Sequence, residues 1–288
     1  MPKPDIARFS RRSALRALAA AAPALGFPGI ARAAAKSTAF ALIGDRYHNS
    51  DYIRIGLGKT LGRDLDLSID FCDEVQMLSE ETLQGRKLLI ILRDGMTWPD
   101  GYADESSNAA WANLRDRQKL ISDPPVPRRE GKPFYWIRPE QGKAVKDFVR
   151  GGGSALFFHN VTYISPHNDD FRDVLGAVTE GHPPIRPFKV KVTNPDHPVT
   201  RGVKDFIVTD EQHFMTYQKD PKYLLLQSVN EDGLTYRNLG AACAAGWAYD
   251  YGQGRVVYLA PGHLLNDLWN SEYEKLQHNA VRWLLRRV

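Results

Sequence analysis

The segment GGGSALFFHN, residues 151–160, indicates how the rest of the chain is built. Its three glycines end a helix predicted over residues 139–150, because proline favours the first turn of a helix and glycine its end. The apolar run that follows is typical of a strand covered on both faces, as in a parallel sheet. His159 ends this strand, and ligands of parallel sheets bind beyond the carboxyl ends of strands. The segment therefore predicts a covered strand that delivers a histidine to a binding cleft.

Further predicted strands and helices alternate on both sides of this segment. The strands are predicted at 39–44, 66–71, 87–92, 188–192, 206–209 and 223–228, with a hairpin of 244–251 and 255–260. The helices are predicted at 51–63 and 271–287. This alternation predicts an α/β fold with an open, mostly parallel central sheet and helices on both faces. Residues 93–132 interrupt it with a polar segment that ends in a proline cluster, and we interpret them as an insertion with one helix near 108–120.

The first 33 residues have the composition of an export signal. Arg11 and Arg12 form a twin-arginine pair, an Ala/Leu-rich segment runs from 14 to 30, and residues 31–33 supply an A-x-A cleavage pattern. A soluble N-terminal helix is the alternative, but Pro23, Gly26 and Pro28 would break it. We predict a twin-arginine signal peptide over 1–33, a periplasmic location, and a single folded domain over 34–288.

Charge, hydropathy and cysteine content argue against several classes of partner and site. The whole chain has a net charge of +4, but residues 1–33 carry six basic residues against one acidic residue, which leaves about −1 for the remainder. The basic pI therefore does not indicate nucleic-acid binding. No later segment is apolar enough to span a bilayer. With only Cys72 and Cys243, a disulfide scaffold or a cysteine-rich metal site is excluded. The two could pair in an oxidising periplasm, but we predict buried free thiols.

Four of the eight histidines follow predicted strands: His48, His159, His213 and His263. Because the carboxyl ends of parallel strands meet at one edge, we expect these imidazoles to converge on one cleft. Asp210 and Glu211 add two carboxylates to the loop that carries His213. Other side chains predicted to bind substrate in or near these loops are Tyr47, Asn160, Tyr163 and Trp247.

Two chemistries fit this set, and the sequence leaves both open. Imidazoles and a carboxylate suit Zn or a similar divalent metal, and the candidate ligands are His48, His159, His213 and His263. Without a metal, the predicted catalytic residues act as general acids and bases, and they are His159, Asp210, Glu211 and His213. In that case His48 and His263 are predicted to bind substrate on either side.

The chain resembles the trehalose-utilisation (ThuA-like) family in four runs that occur in the same order. They are RPEQGKAVKDFVRGGGSALFFHN at 138–160, HPVTRGVKDFIVTDEQHF at 197–214, AAGWAYDYGQGRVVYLAPGH at 244–263 and QHNAVRWLL at 277–285. The resemblance implies a ThuA-like domain over 34–288 with a flavodoxin-like, class I glutamine amidotransferase-like three-layer sandwich. It also implies a link to glycoside and disaccharide metabolism, including sugars oxidised to ketones.

The resemblance also indicates what the position of His159 corresponds to in related proteins. In the amidotransferase relatives, this turn presents a nucleophilic cysteine. An imidazole cannot form the thioester of amide hydrolysis, so we predict that the protein is not a glutaminase and that His159 is an exposed proton carrier or metal ligand. The sequence departs from the usual family pattern at His213, a position that is often tyrosine, and in residues 93–132.

Two functions follow from this comparison. The first is an exported hydrolase, lyase or isomerase that acts on a small carbohydrate, trehalose-like or a keto sugar, by proton transfer with or without a metal. The second is a noncatalytic carbohydrate-binding or accessory domain that has lost the amidotransferase nucleophile. A less favoured alternative to both is an amidotransferase-like hydrolase that uses water on a bound metal. The sequence does not fix the oligomeric state, and a homo-oligomer is compatible with it.

Overall fold

A nine-stranded sheet forms the centre of the computed structural model, which describes residues 37–98, 123 and 132–288. In spatial order its strands are β2 (Ile69–Cys72), β1 (Ala39–Ile43), β3 (Leu88–Leu92), β6 (Ser154–Phe158), β13 (Gly254–Leu259), β12 (Ala242–Tyr251), β11 (Leu224–Val229), β8 (Arg186–Val192) and β9 (Phe206–Asp210). Two small sheets pair β4 (Met96–Thr97) with β5 (Phe134–Tyr135), and β7 (Ala177–Gly181) with β10 (Phe214–Tyr217). The predicted signal peptide and the helix predicted near 108–120 lie outside the described residues.

The α/β fold class is confirmed, and the direction of strand pairing divides the sheet into two halves. The strands from β2 to β13 pair in parallel. The pairs from β13 to β9 are antiparallel, and β12 and β13 form a hairpin. In β9, buried and exposed residues alternate, as expected for a strand with one solvated face.

Helices cover both faces of the parallel half. They are α1 (Ser50–Leu57), α2 (Glu80–Leu83), α3 (Pro139–Arg150), α4 (Asp169–Leu175), α5 (Leu265–Leu268) and α6 (Ser271–Leu284). In β6, Ser154 donates a hydrogen bond to the Leu284 carbonyl of α6, whereas Phe157 packs against Phe171 of α4. Because side chains three positions apart in a strand point to opposite faces, α6 and α4 lie on opposite sides of the sheet. This arrangement gives the three-layer sandwich.

Several predicted elements have different bounds in the structure, and two of the differences have a clear local cause. The helix predicted over 51–63 becomes a π-helix over Gly58–Arg63, where Thr60 Oγ1 bonds the Gly56 carbonyl and competes with the helical ladder. The strand predicted from Asp66 begins only at Ile69, because Asp66 adopts a left-handed backbone conformation with φ of 51°.

Two expectations about the chain as a whole can be compared with the structure. Both cysteines lie in described strands and neither forms a disulfide, but both are half-buried and not fully buried as predicted. Within residues 37–98 and 132–288, none of the helices combines the length and apolar character that crossing a bilayer requires.

Candidate active site

The candidate site lies where the parallel strands end. His48 follows β1, Asp94 follows β3, His159 follows β6 and His263 follows β13, so the four loops meet at one edge of the sheet. The loop between β9 and β10 reaches the same place, because the Asp210 carboxylate accepts a 2.7 Å hydrogen bond from the Gly262 backbone N–H. This contact brings a loop from the antiparallel half of the sheet onto the strand ends of the parallel half.

His159 sits at a strained turn in the middle of the site. Its φ of 50° is left-handed, which is uncommon for a residue other than glycine and is often found at functional sites. Its Nδ1 lies 2.9 Å from the Ala260 carbonyl, and the Tyr258 hydroxyl donates to the His159 carbonyl. The expectation of an exposed imidazole is wrong, because the side chain is completely buried under the loop that contains Gly262. A Cβ at Gly262 would lie only 2.9 Å from the His159 Cβ, so this close approach requires glycine.

Asp210 positions the backbone of the site. Its carboxylate accepts hydrogen bonds from the backbone N–H groups of Glu211, Gly262 and His263, and it is fully buried. Its closest approach to an imidazole is 3.9 Å, to His159 Nδ1. Asp210 therefore holds Glu211 and His263 in place and is shielded from the cavity.

Glu211 is the centre of the site. Its Oε2 atom lies within 4 Å of a nitrogen of five imidazoles: His263 Nδ1 at 3.3 Å, His159 Nε2 at 3.4 Å, His213 Nε2 at 3.5 Å, His182 Nε2 at 3.6 Å and His48 Nε2 at 3.9 Å. The imidazoles also contact one another. His263 Nδ1 is 2.8 Å from His48 Nε2, and His213 Nε2 is 3.3 Å from His159 Nε2.

The electrostatics of this cluster distribute protons unequally. Burial alone would raise the pKa of Glu211, but hydrogen bonds from His159 and His213 hold that pKa well below its ordinary value. Burial would lower the pKa of His159, but the charges of Asp210 and Glu211 raise it. Burial, together with the neighbouring His159, keeps the pKa of His213 well below its ordinary value. The electrostatics therefore favour a proton on His159 over one on His213, beside an ionised Glu211.

A cavity of about 280 Å³ opens onto this cluster. It is lined by Tyr47, His48, Asp94, Met96, Asn160, Tyr163, His182, Glu211 and His213. Its size lies near the lower end of the range for ligand pockets, about 300 Å³, which suits a small ligand. A larger groove of about 500 Å³ between residues 78–84 and 138–141 has no histidine in its lining and lacks comparable chemistry.

Comparison with known proteins establishes the family. The profile of the ThuA family, described as trehalose utilisation, matches residues 130–284, more than half of the chain. The chain belongs to the ThuA family. The resemblance seen in the sequence is thereby confirmed, and no curated protein matches this ThuA chain.

Two solved structures share the fold of this ThuA protein. A ThuA-like protein from Bacteroides uniformis is 17% identical, with 88% of this chain and 93% of that chain covered and a TM-score of 0.56. A ThuA-like protein from Parabacteroides merdae is 14% identical, with 87% and 90% covered and a TM-score of 0.60. At these identities the likeness establishes the class I glutamine amidotransferase-like fold.

The structure brings most of the predicted site residues of this ThuA chain together. The residues within or beside the imidazole cluster are His48, His159, Asp210, Glu211, His213 and His263. Tyr47, Asn160 and Tyr163 line the cavity.

Trp247 is the exception among the predicted substrate-binding residues. It is fully buried, stacks on Tyr258 at 4.2 Å between ring centroids, and donates its Nε1 hydrogen to the Leu175 carbonyl. The assignment of Trp247 to substrate binding is wrong, because this residue lies within strand β12 and packs in the core.

Three residues of the site were missed in the sequence. Asp45 accepts from His48 Nδ1 at 2.8 Å and from Asn160 Nδ2 at 2.7 Å. Asp94 lines the cavity, and burial together with the Asp45 charge raises its pKa to about 7. Both carboxylates follow buried strands, so the rule that identified His48 also applies to them. His182 had no such signal, because it follows β7 of a separate small sheet.

Proposed function

We propose that this ThuA protein is an exported enzyme that acts on a glycoside or disaccharide, trehalose-like or a keto sugar, by transferring protons between histidine and carboxylate groups. The observation that carries the proposal is the placement of Glu211 Oε2 within 4 Å of five imidazole nitrogens at the wall of a small cavity. Hydrolysis, elimination and isomerisation of a sugar all need one group that gives a proton and another that takes one.

The cavity presents suitable groups at its wall and a path for protons behind them. Glu211 and His213 line the cavity, and His213 Nε2 lies 3.3 Å from Nε2 of the buried His159. His159, whose pKa is raised, can pass a proton through His213 to a substrate in the cavity without that proton entering bulk water, while Glu211 at the same wall can accept one. Tyr47 and Tyr163 also line the cavity, and each contributes an aromatic ring and a hydroxyl. This combination of apolar and polar surface suits a sugar ring. The family description of trehalose utilisation supports a carbohydrate as the substrate class.

The test is turnover of a panel of disaccharides and their keto forms by the purified protein, followed by chromatography of the products. We expect product from at least one sugar, and His213→Ala should lower the rate by about 10²–10⁴-fold because it removes a proton carrier at the cavity wall. The matched control is His197→Ala, since His197 packs on Trp283 and is not part of the imidazole cluster. This control should keep the wild-type rate.

A noncatalytic carbohydrate-binding domain is the second candidate. It is favoured by the imidazole of His159 at the turn where amidotransferase relatives present a nucleophile. It predicts saturable sugar binding without product for every sugar of the panel. That outcome, or a His213→Ala variant as active as the wild type, would contradict proton transfer at this site.

The proposed export rests on the sequence of residues 1–33. We expect replacement of both Arg11 and Arg12 by lysine to keep the protein in the cytoplasm, because the twin-arginine pathway reads that pair. Cell fractionation measures how the protein is distributed between the cytoplasm and the periplasm. N-terminal sequencing of the periplasmic form gives the cleavage site. An unchanged distribution of the double variant would count against twin-arginine export.

A further inference from the structure

We propose that four side chains of this site bind one divalent transition-metal ion of the Zn²⁺ type. They are His48, His159, Glu211 and His263, and their donor atoms all lie within 4.8 Å of one another. Metal binding goes beyond the sugar-directed reaction, since it can be measured without any substrate.

The distances between the donor atoms fit a single ion. Bonds of about 2.0–2.1 Å to nitrogen and oxygen in a tetrahedron place the ligand atoms about 3.3 Å apart. Glu211 Oε2 lies 3.3 Å from His263 Nδ1 and 3.4 Å from His159 Nε2, and His48 Nε2 lies 2.8 Å from His263 Nδ1. Glu211 Oε2 lies 3.9 Å from His48 Nε2. Small rotations of these side chains would equalise the edges.

The second shell fixes the tautomers that a metal requires. Asp45 Oδ1 lies 2.8 Å from His48 Nδ1, and a carboxylate oxygen can only accept, so the hydrogen sits on Nδ1. Asn160 Nδ2 lies 2.9 Å from the same nitrogen but donates its hydrogen to Asp45 Oδ2, at 2.7 Å. The Ala260 carbonyl fixes His159 in the same way, at 2.9 Å from Nδ1. In the neutral form of each imidazole, which is the form that a metal binds, the lone pair is therefore on Nε2, and both Nε2 atoms lie within 4 Å of Glu211 Oε2. Metal-binding histidines commonly donate their other N–H to a carboxylate or a backbone carbonyl.

The backbone around the ligands holds them in place before a metal arrives. Asp210 ties the Glu211 and His263 backbone N–H groups to one carboxylate. The left-handed conformation of His159 and the glycine at 262 allow two ligand-bearing loops to touch. A pre-organised set of ligands reduces the entropic cost of metal binding.

The four proposed ligands favour certain metals, and the site is open on its cavity side. Three imidazoles with one carboxylate favour Zn²⁺, Co²⁺, Ni²⁺ or Fe²⁺ over Ca²⁺ and Mg²⁺, which prefer oxygen ligands. His213 and His182 stand on the cavity side of Glu211. A water molecule or a sugar oxygen can reach the ion there as a fifth ligand, and the metal would then polarise that oxygen.

The experiment uses the full chain, purified without a histidine tag, stripped with chelator and dialysed against Zn²⁺ or Co²⁺. Elemental analysis should give about one equivalent of metal per chain, and the Co²⁺ form should show the visible absorption bands of a four- or five-coordinate site. Glu211→Gln and His263→Ala are expected to weaken metal binding at least tenfold, and Asp45→Asn to weaken it about 10–100-fold through the second shell. Circular dichroism checks that each variant folds.

The controls separate this site from surface binding. His197→Ala and His278→Ala remove histidines outside the cluster and should keep the wild-type stoichiometry and affinity. Failure of the reloaded wild type to retain metal would overturn the proposal. Equal affinity of wild type, His263→Ala and Glu211→Gln would also overturn it. Metal binding is measured without sugar, so its outcome is independent of turnover. A metal-loaded protein that turns over no sugar would contradict only the proposed reaction. Turnover by the metal-free protein would contradict only a catalytic role of the ion.

Discussion

Replacing Glu211 with glutamine is expected to lower sugar turnover by about 10²–10⁴-fold while the protein stays folded. Glutamine keeps the shape of the side chain but removes the charge at the point where five imidazole nitrogens converge. Without that charge, a protonated His159 loses its nearest carboxylate, and the amide hydrogens of glutamine meet imidazole nitrogens in its place. Initial rates with the best sugar of the panel measure the effect, and urea unfolding shows whether stability is kept.

The matched control is Glu231→Gln, because Glu231 pairs with Lys189 on the surface. This variant should keep the wild-type rate. Since Glu211 is also a proposed metal ligand, both variants are measured metal-free and with saturating Zn²⁺. A loss of rate that persists at full metal occupancy would be caused by the missing charge. A rate that recovers at saturating Zn²⁺ would show that the variant had lost activity by binding the metal more weakly. A Glu211→Gln variant within fivefold of the wild type in both conditions would contradict a central role for Glu211 in turnover.

The part of the site that could be predicted from sequence depends on strand ends. His48, His159 and His263 follow buried strands that pair in parallel, so the register of the sheet alone brings them together. The same reasoning applied to carboxylates would have found Asp45 and Asp94. Helix α3 was predicted with its correct bounds, since Pro139 at its start and Gly151 just after its end are strong local signals.

The rest depends on tertiary contacts that no local pattern contains. The loop with Glu211 and His213 follows an antiparallel strand at the far edge of the sheet, and the hydrogen bonds of Asp210 with Gly262 and His263 hold it at the site. The burial of His159 has the same origin, because the loop that covers it begins about a hundred residues later. Trp247 illustrates the opposite error, since closeness in sequence to a functional loop says little about a residue within a strand.

The carboxylate of Asp267 makes stability depend on pH. Asp267 lies in α5 and is 5% exposed; its Oδ1 accepts a hydrogen bond from the Thr209 N–H, and its Oδ2 has no hydrogen-bond partner within the described residues. Burial, reinforced by the charge of Asp210, raises the pKa of Asp267 from 3.8 to about 7. Folding therefore disfavours the ionised form. The resulting loss in the free energy of unfolding is absent below the pKa of Asp267 in the unfolded chain. It grows as the pH rises from that pKa to the pKa in the folded protein, and it stays constant at higher pH.

Asp267→Asn is accordingly expected to raise the free energy of unfolding by about 2 kcal/mol near pH 8 and to leave it unchanged near pH 4. Asparagine keeps an oxygen for the Thr209 N–H and removes the buried charge beside Asp210. Urea unfolding of both proteins across this pH range gives the difference between their free energies of unfolding. In this difference, the contributions of groups that titrate alike in both proteins cancel. The exposed Asp196→Asn should change stability by less than about 0.5 kcal/mol at either pH. A gain for Asp267→Asn that is as large near pH 4 as near pH 8 would show that packing, and not ionisation, sets the cost of Asp267.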